Sequence, residues 1–272
     1  MGNVATRIMD FNTVLDDPCR ACQDSNEAGI KFATHGFCVM PSYIAPAVLE
    51  ELENDMLFLS TKSQHRNNRG PFRACVNSYK NFKKNSYWAF LTSITSRNSM
   101  FYIFMVNRYG PDCWWLDSTM GGDVVRPGAR FDRSTYPHTD IHTGGRSEQV
   151  IVVSLAVRNI TMDMAPLELI SEATGRWCTP LLRQGDLLVR NADTIHRGSP
   201  NTSDTPRCLA AIRFILSDAL RDGYRPVPLF PEDMMGWFPQ PLRAICDLLV
   251  IAEDHTPGPF ADGDGFEPLV DE

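Results

Sequence analysis

From about residue 107 onward the chain is written in short apolar and β-branched runs cut apart by Gly, Pro, Asn and Asp, and this texture constrains the fold more than any other feature. The runs cover residues 148–157, 186–190 after the Gln184-Gly185 turn, 194–198 and 208–216. In the last of them Leu209, Ala211, Arg213 and Ile215 alternate onto one face. Runs of this length and spacing predict an antiparallel sandwich or barrel: a mainly β fold with flanking helices and a double-stranded β-helix (jelly-roll, cupin-like) core.

The upstream part reads differently. Residues 26–34 and 46–59 carry helical patterning, the second with Val48, Leu49, Leu52, Met56 and Leu59 near 3.6-residue spacing. Between them the compact apolar run 36–41, stopped by Pro41, has the length of a strand. Residues 61–73 are polar and rich in Asn, Arg and Lys, which predicts a surface loop and a candidate lid. An aromatic helical stretch follows over 86–106, and beyond 217 come Pro-rich segments, a helical stretch over 241–252 and an acidic, frayed tail. The expected organisation is one domain, with a helical N-terminal part over about 1–106, a jelly-roll core over about 107–217 and a C-terminal extension over about 218–272. No fixed-period self-similarity is present, which excludes solenoids and arrays.

Composition removes several function classes. At 272 residues and 43% hydrophobic the chain can bury a sizeable core. A net charge of −7 leaves no basic field for a phosphate backbone, so nucleic acid is not an expected partner. Neither a signal-like apolar run over residues 1–10 nor a stretch of roughly 20 apolar residues is present, and the expectation is a cytoplasmic protein with no membrane partner, a monomer or homodimer. The eight cysteines read as reduced thiols. Cys19-x-x-Cys22 has no second pair to complete a four-thiolate zinc site, and reads as two ordinary thiols.

The chemistry is concentrated in Tyr136-Pro137-His138-Thr139-Asp140 and in the downstream His196 and Arg207. On an extended strand, side chains at i and i+2 point the same way, so His138 and Asp140 face one pocket. Two imidazoles and one carboxylate are the ligand set that holds non-haem Fe(II) while leaving positions open for substrate and oxygen. A helical zinc reading of His138 and His142 is opposed by Pro137, by the β-branched Thr139, Ile141 and Thr143, and by Gly144-Gly145. Downstream, His196 ends one strand, a Gly/Pro/Asn turn follows, and Arg207 starts the next. Imidazole and guanidinium then lie on adjacent strands, facing one cavity if both point inward. An Arg fork there suits the carboxylate of a 2-oxo diacid.

Taken together, His138-x-Asp140, the Pro166-Leu167-Glu168 segment, the Gly185-Asp186 strand, His196, and Arg207 eleven residues after it resemble the phytanoyl-CoA dioxygenase family of Fe(II)/2-oxoglutarate oxygenases. The opening strand around Gly36-Phe37-Cys38-Val39-Met40-Pro41 is similar too, and the likeness spans about 30–216. It implies His138, Asp140 and His196 as iron ligands, Arg207 on the distal carboxylate of 2-oxoglutarate, and Thr174 as a second cosubstrate contact. It also implies O2-dependent oxidation of a C–H bond in a small-molecule substrate, by hydroxylation, desaturation or oxidative cyclisation, with a role in specialised metabolite biosynthesis. The chain departs from the pattern at Ser171-Glu172-Ala173-Thr174-Gly175, where the family carries a Pro-Gly-Ser-His type turn. It departs again at Gly198, where the family has a small hydroxyl residue two positions after the distal His. Retention of Asp140 sets it apart from the halogenating branch.

Other readings stay open on the residues alone. A cupin-type metalloenzyme would not need the Arg207 fork, and a silent small-molecule-binding jelly roll would have little use for an intact ligand triad. Tyr136, His142 and Arg126 are candidate substrate contacts, with Arg130 and Arg133 nearby, although solvated loop charge is the competing account. Arg213 stands roughly 20 Å along the strand from Arg207 by the usual rise per residue, too far to share one carboxylate. Trp114-Trp115, Met162 and Met164 are either cavity wall or core filler.

Overall fold

The computed structural model describes residues 17–63, 72–76, 84–111, 114–130, 136–140 and 150–216. Helix α1 (Ser25–His35) begins at Asp24, whose carboxylate accepts the backbone N–H groups of Asn26 and Glu27 at 2.9 Å. It ends at Gly36 in the left-handed region (φ 79°), where a Cβ would strike the Glu172 and Thr194 side chains. That cap turns the chain directly into the fully buried strand β1 (Phe37–Met40). There follow α2 (Pro46–Ser63), β2 (Arg73–Cys75), α3 (Asn85–Thr95), α4 (Met100–Tyr109) and β3 (Trp114–Val125). The remaining strands are β4 (Val150–Ala156), β5 (Leu167–Ile170), β6 (Trp177–Cys178), β7 (Leu187–Asn191), β8 (His196–Gly198) and β9 (Arg207–Leu216).

Six strands pair antiparallel in the order β1-β7-β4-β9-β3-β2, and β6-β5-β8 form a second sheet. The expected jelly-roll core is therefore present. The alternating register of the large sheet sends Met40, Val189, Val153, Ile212 and Phe214 outward into the helices, where they meet Phe32, Leu52, Met56, Phe90, Phe101 and Phe104. Trp114 joins that layer edge-on to Phe214, with ring centroids 5.4 Å apart, and is core rather than cavity wall.

The opposite face is where polar residues gather, and its rows can be read from the register. Arg190, Val152 and Arg213 lie side by side in one row. Leu188, Ser154, Ala211 and Gly121 make the next, and Ala156, Leu209, Asp123 and Cys75 the third. Arg207, Val125 and Arg73 make the fourth. Phe37, Val39, Ile160, Leu169 and Leu182 close one part of the space between the sheets with hydrocarbon.

Two expectations are corrected. The segment 61–73 is not one surface loop, because α2 runs on to Ser63 and Arg73 opens a strand with only 3% of its surface exposed; residues 64–71 lie outside the described residues. The predicted helix over 86–106 is two helices, because the Ser99 hydroxyl accepts the Tyr102 N–H at 3.0 Å and restarts the helix there. The strand expected over 36–41 is present as β1, which with β2 forms the two edges of the large sheet. The helical stretch at 241–252 and the tail lie outside the described residues. No helix among the described residues is long and apolar enough to cross a membrane.

Candidate metal centre and anion site

His138 and His196 face one another because their backbones are joined as an antiparallel bridge, His138 N to His196 O at 3.0 Å and His196 N to His138 O at 2.9 Å. Directly opposed residues in such a pair project to the same side, which brings the two ring centroids to 4.4 Å. Asp140 continues the extended segment, anchored through its own N–H to Ala192 O at 3.0 Å. Its carboxylate therefore points the same way as His138. One ligand atom from each of His138, Asp140 and His196 lies within 4.8 Å of the others, the one such cluster among the described residues.

The two rings are oriented by the backbone. His138 Nδ1 lies 2.8 Å from Tyr136 O, and His196 Nδ1 lies 2.9 Å from Thr194 O. A carbonyl only accepts, so each Nδ1 carries a proton, and Nε2 is the ring nitrogen that each histidine could offer to a metal. His196 Nε2 is 3.5 Å from Asp140 Oδ1. Burial by itself pushes the Asp140 carboxyl up. The Arg190 guanidinium and His196 more than offset that and hold it well below the usual carboxylate range, so Asp140 is an anion. Two aligned imidazoles and an ionised carboxylate fit a divalent cation that takes mixed N and O ligands.

The same cavity, about 120 Å³, is lined by Arg73, Asp123, Arg190, Gly198, Arg207 and Arg213 as well as by the triad. Arg207 is wholly buried, and its Nη2 donates to Asp123 Oδ2. Its Nε and Nη1 are buried with no partner, and so are Nε and Nη1 of Arg190. Buried guanidinium N–H groups without acceptors are costly, and a carboxylate entering the cavity would satisfy them. The spacing of Arg207 from Arg213 along β9 does not separate them into different sites, because both line this cavity.

The structure thus brings His138, Asp140, His196 and Arg207 together, as the sequence predicts. Other candidates lie elsewhere. Thr174 is exposed, accepting the Arg176 N–H at 3.3 Å within its own turn, and does not line the cavity. Arg126 reaches instead to Ser60 Oγ at 2.8 Å and fastens the end of β3 to α2. The Tyr136 side chain is 67% exposed, and its contribution is the carbonyl that orients His138. Met162 is exposed and Met164 buried, neither on the cavity wall. His142 and Arg133 lie outside the described residues. Cys19 and Cys22 pack against different thiols, Cys178 and Cys38, with burial as the main cause pushing Cys19 up to about 12.

Arg73, Asp123 and Arg190 were not anticipated. The signal for Arg190 was a charge ending the apolar run Leu187-Leu188-Val189, two positions from the inward Leu188. Arg73 was hidden by the polar segment before it, although Phe72, Ala74 and Val76 around it have strand character.

No family model and no curated protein matches the chain. Solved structures do. The non-haem α-ketoglutarate-dependent epimerase SnoN of nogalamycin biosynthesis aligns at 15% identity and a TM-score of 0.54, covering 70% of this chain and 82% of that one. The carbocyclase SnoK of the same biosynthesis aligns at 12% identity with a TM-score of 0.53, covering 70% and 83%. AviO1 from Streptomyces viridochromogenes Tue57 aligns at 17% identity with a TM-score of 0.52, covering 72% and 96%. The chain shares the jelly-roll fold of these solved structures.

Proposed function

We propose that this chain is an Fe(II)- and 2-oxoglutarate-dependent dioxygenase of the phytanoyl-CoA dioxygenase type, oxidising a C–H bond of a small molecule in specialised metabolism. The observation that carries the reading is the meeting, in one cavity, of the His138–Asp140–His196 cluster with a buried Arg207 whose Nε and Nη1 have no partner. In this reading His138, Asp140 and His196 hold the metal by Nε2, a carboxylate oxygen and Nε2. Arg207 binds the distal carboxylate of 2-oxoglutarate, the compound that is also called α-ketoglutarate. Iron with 2-oxoglutarate and O2 supplies the oxidising power, leaving succinate and carbon dioxide.

The chain's own groups have three tasks. The backbone carbonyls of Tyr136 and Thr194 keep the imidazoles in the ligand tautomer. Asp123 fixes one nitrogen of the Arg207 fork and turns the others toward the cavity. The apolar patch around Leu209, Leu188 and Leu169 keeps water from one side of the space, which strengthens each charge contact inside it. Hydroxylation is the expected outcome, with desaturation and ring formation as the other C–H oxidations such a site would support. A metal-only enzyme or a silent binding protein would leave the Arg207 fork without a purpose. The six described cysteines are all free thiols, in keeping with a reducing cytoplasmic setting.

The test is an anaerobic titration of apoprotein with Fe(II) and then 2-oxoglutarate, followed by a screen of small molecules for succinate release. We expect His138→Ala to lose metal binding and turnover. Arg207→Ala should bind metal normally and 2-oxoglutarate about tenfold or more weakly, as expected for loss of a charge-assisted fork. Equal cosubstrate affinity in wild type and the Arg207 variant would sink the assignment.

A further inference from the structure

Arg190 stands near the end of β7 and is more than nine-tenths buried, yet only one of its nitrogens is engaged: Nη2 donates to Asp140 Oδ2. Its Nε and Nη1 are buried without a partner in a residue of the cavity wall. Orienting Asp140 takes a single N–H. The remaining donors exceed that task, and buried donors left without acceptors are costly unless a ligand supplies them.

The register puts Arg190 and Arg207 at opposite ends of the inward face. Arg190 stands in the first row with Val152 and Arg213, and Arg207 in the fourth, roughly 20 Å further along the strands by the usual rise per residue. The triad lies at the Arg190 end, since Asp140 is the group that Arg190 holds. Gly198, two residues beyond His196, reaches the other end: a Cβ there would collide with Nη1 of Arg73, which shares the fourth row with Arg207. On the 2-oxoglutarate reading given above, a keto-diacid extending from the triad to Arg207 runs away from Arg190. The spare donors of Arg190 stay behind it, beside the triad, where a substrate must lie to bring a C–H bond to the metal.

We propose that Arg190 is a substrate-anchoring residue, and that the small molecule oxidised here carries a carboxylate which this guanidinium holds beside the metal. The inference rests on the 2-oxoglutarate reading of the site and adds the substrate class to it, an organic acid rather than a neutral molecule. A guanidinium is always charged and offers its N–H groups in fixed directions. It therefore separates an acid from its amide or ester by charge and hydrogen bonding together. With Asp140 on one nitrogen and the substrate acid on the others, a single side chain sets the spacing between the metal site and the anchored end of the substrate.

The experiment uses the full chain, anaerobic and saturated with Fe(II) and 2-oxoglutarate, titrated by calorimetry with acetate as the acid probe and acetamide as its neutral counterpart. Wild type should bind acetate about tenfold or more tightly than acetamide, and Arg190→Met should abolish that difference. Arg190→Lys keeps the charge and a donor for Asp140 but not the fork, and should retain only part of it. If Arg190→Met does not fold or load Fe(II), Arg190→Lys decides the matter alone. Acetate affinity unchanged in the folded variants overturns the proposal and leaves Arg190 as a positioning residue for Asp140. An equal loss of 2-oxoglutarate and pyruvate affinity at saturating Fe(II) also overturns it, since the guanidinium would then hold the carboxylate that those two acids share. Wild type that binds Fe(II) but no 2-oxoglutarate overturns the functional reading itself, a result distinguishable from either of these.

Discussion

At Gly122 the backbone has φ 145° and presses against β9 so closely that a Cβ would strike Leu209 O and lie 2.9 Å from Ala210 Cα. The contact is backbone on backbone, which cannot rotate away as a side-chain tip can. It also sits beside Asp123 and Leu209, both on the cavity wall. Gly122→Ala should therefore destabilise the protein by about 2–4 kcal/mol, the range for strain at a special backbone conformation combined with overpacking. A thermal melt checks it, and a variant within about 0.5 kcal/mol of wild type would refute the close-approach account. Gly198 is the contrasting case, where the glycine serves a neighbour's side chain rather than its own backbone.

Among the elements, the β8–β9 turn decides whether His196 and Arg207 can serve one site. Asn201 is fully buried, and its Nδ2 donates to Val125 O at 2.9 Å and to Thr205 O at 2.8 Å. Its Oδ1 accepts from the Ser203 hydroxyl at 2.7 Å, and its backbone N–H donates to Ala129 O at 2.9 Å. The turn is thus fastened to the end of β3 at Val125, the residue that pairs with Arg207. Asn201→Ala should cost about 2 kcal/mol or more by orphaning buried partners. It should also weaken 2-oxoglutarate more than Fe(II), since His138 and His196 are held by their own bridge. Parallel titrations of the two ligands read this directly, and equal weakening would show that the turn serves the whole site indiscriminately.

For the molecule as a whole, the helical layer and the small sheet meet at His35, the last residue of α1. Its Nδ1 lies 2.8 Å from Ser171 Oγ, just beyond β5, and the ring is buried. Burial, and then the nearby Lys31 charge, hold His35 below its usual value of 6.5. A group with a depressed pKa binds its proton more readily in the unfolded chain. Its stabilising contribution is present above pH 6.5 and is lost as pH falls from there through the lower folded value. Denaturant melts across this window should show stability falling with acidification, and His35→Gln should flatten that part of the profile. An unchanged slope in the variant would assign the acid sensitivity to other groups.

Much of the core of the site was legible before any coordinates, and the reason is local. His138 and Asp140 share a face because strand geometry has period two, and residues two apart need no tertiary information to be placed together. His196, the turn and Arg207 were legible because a short Pro- and Asn-bearing loop between two strands leaves little choice of neighbours. Thr174 and Arg126 were misplaced for the complementary reason, since their loops carry no periodicity that says which way a side chain points.

What the sequence determined by itself was the alternation of strand and turn, and with it the faces on which the two histidines, Asp140 and Arg207 stand, because those are properties of a few consecutive residues. Only the tertiary structure decided that β2, lying 134 positions before Arg207 in the chain, closes the edge of the sheet beside β3 and puts Arg73 into the space left by Gly198. Pairing between distant strands is chosen by the burial and hydrogen bonding of the whole sheet, a sum over many residues that no short window contains.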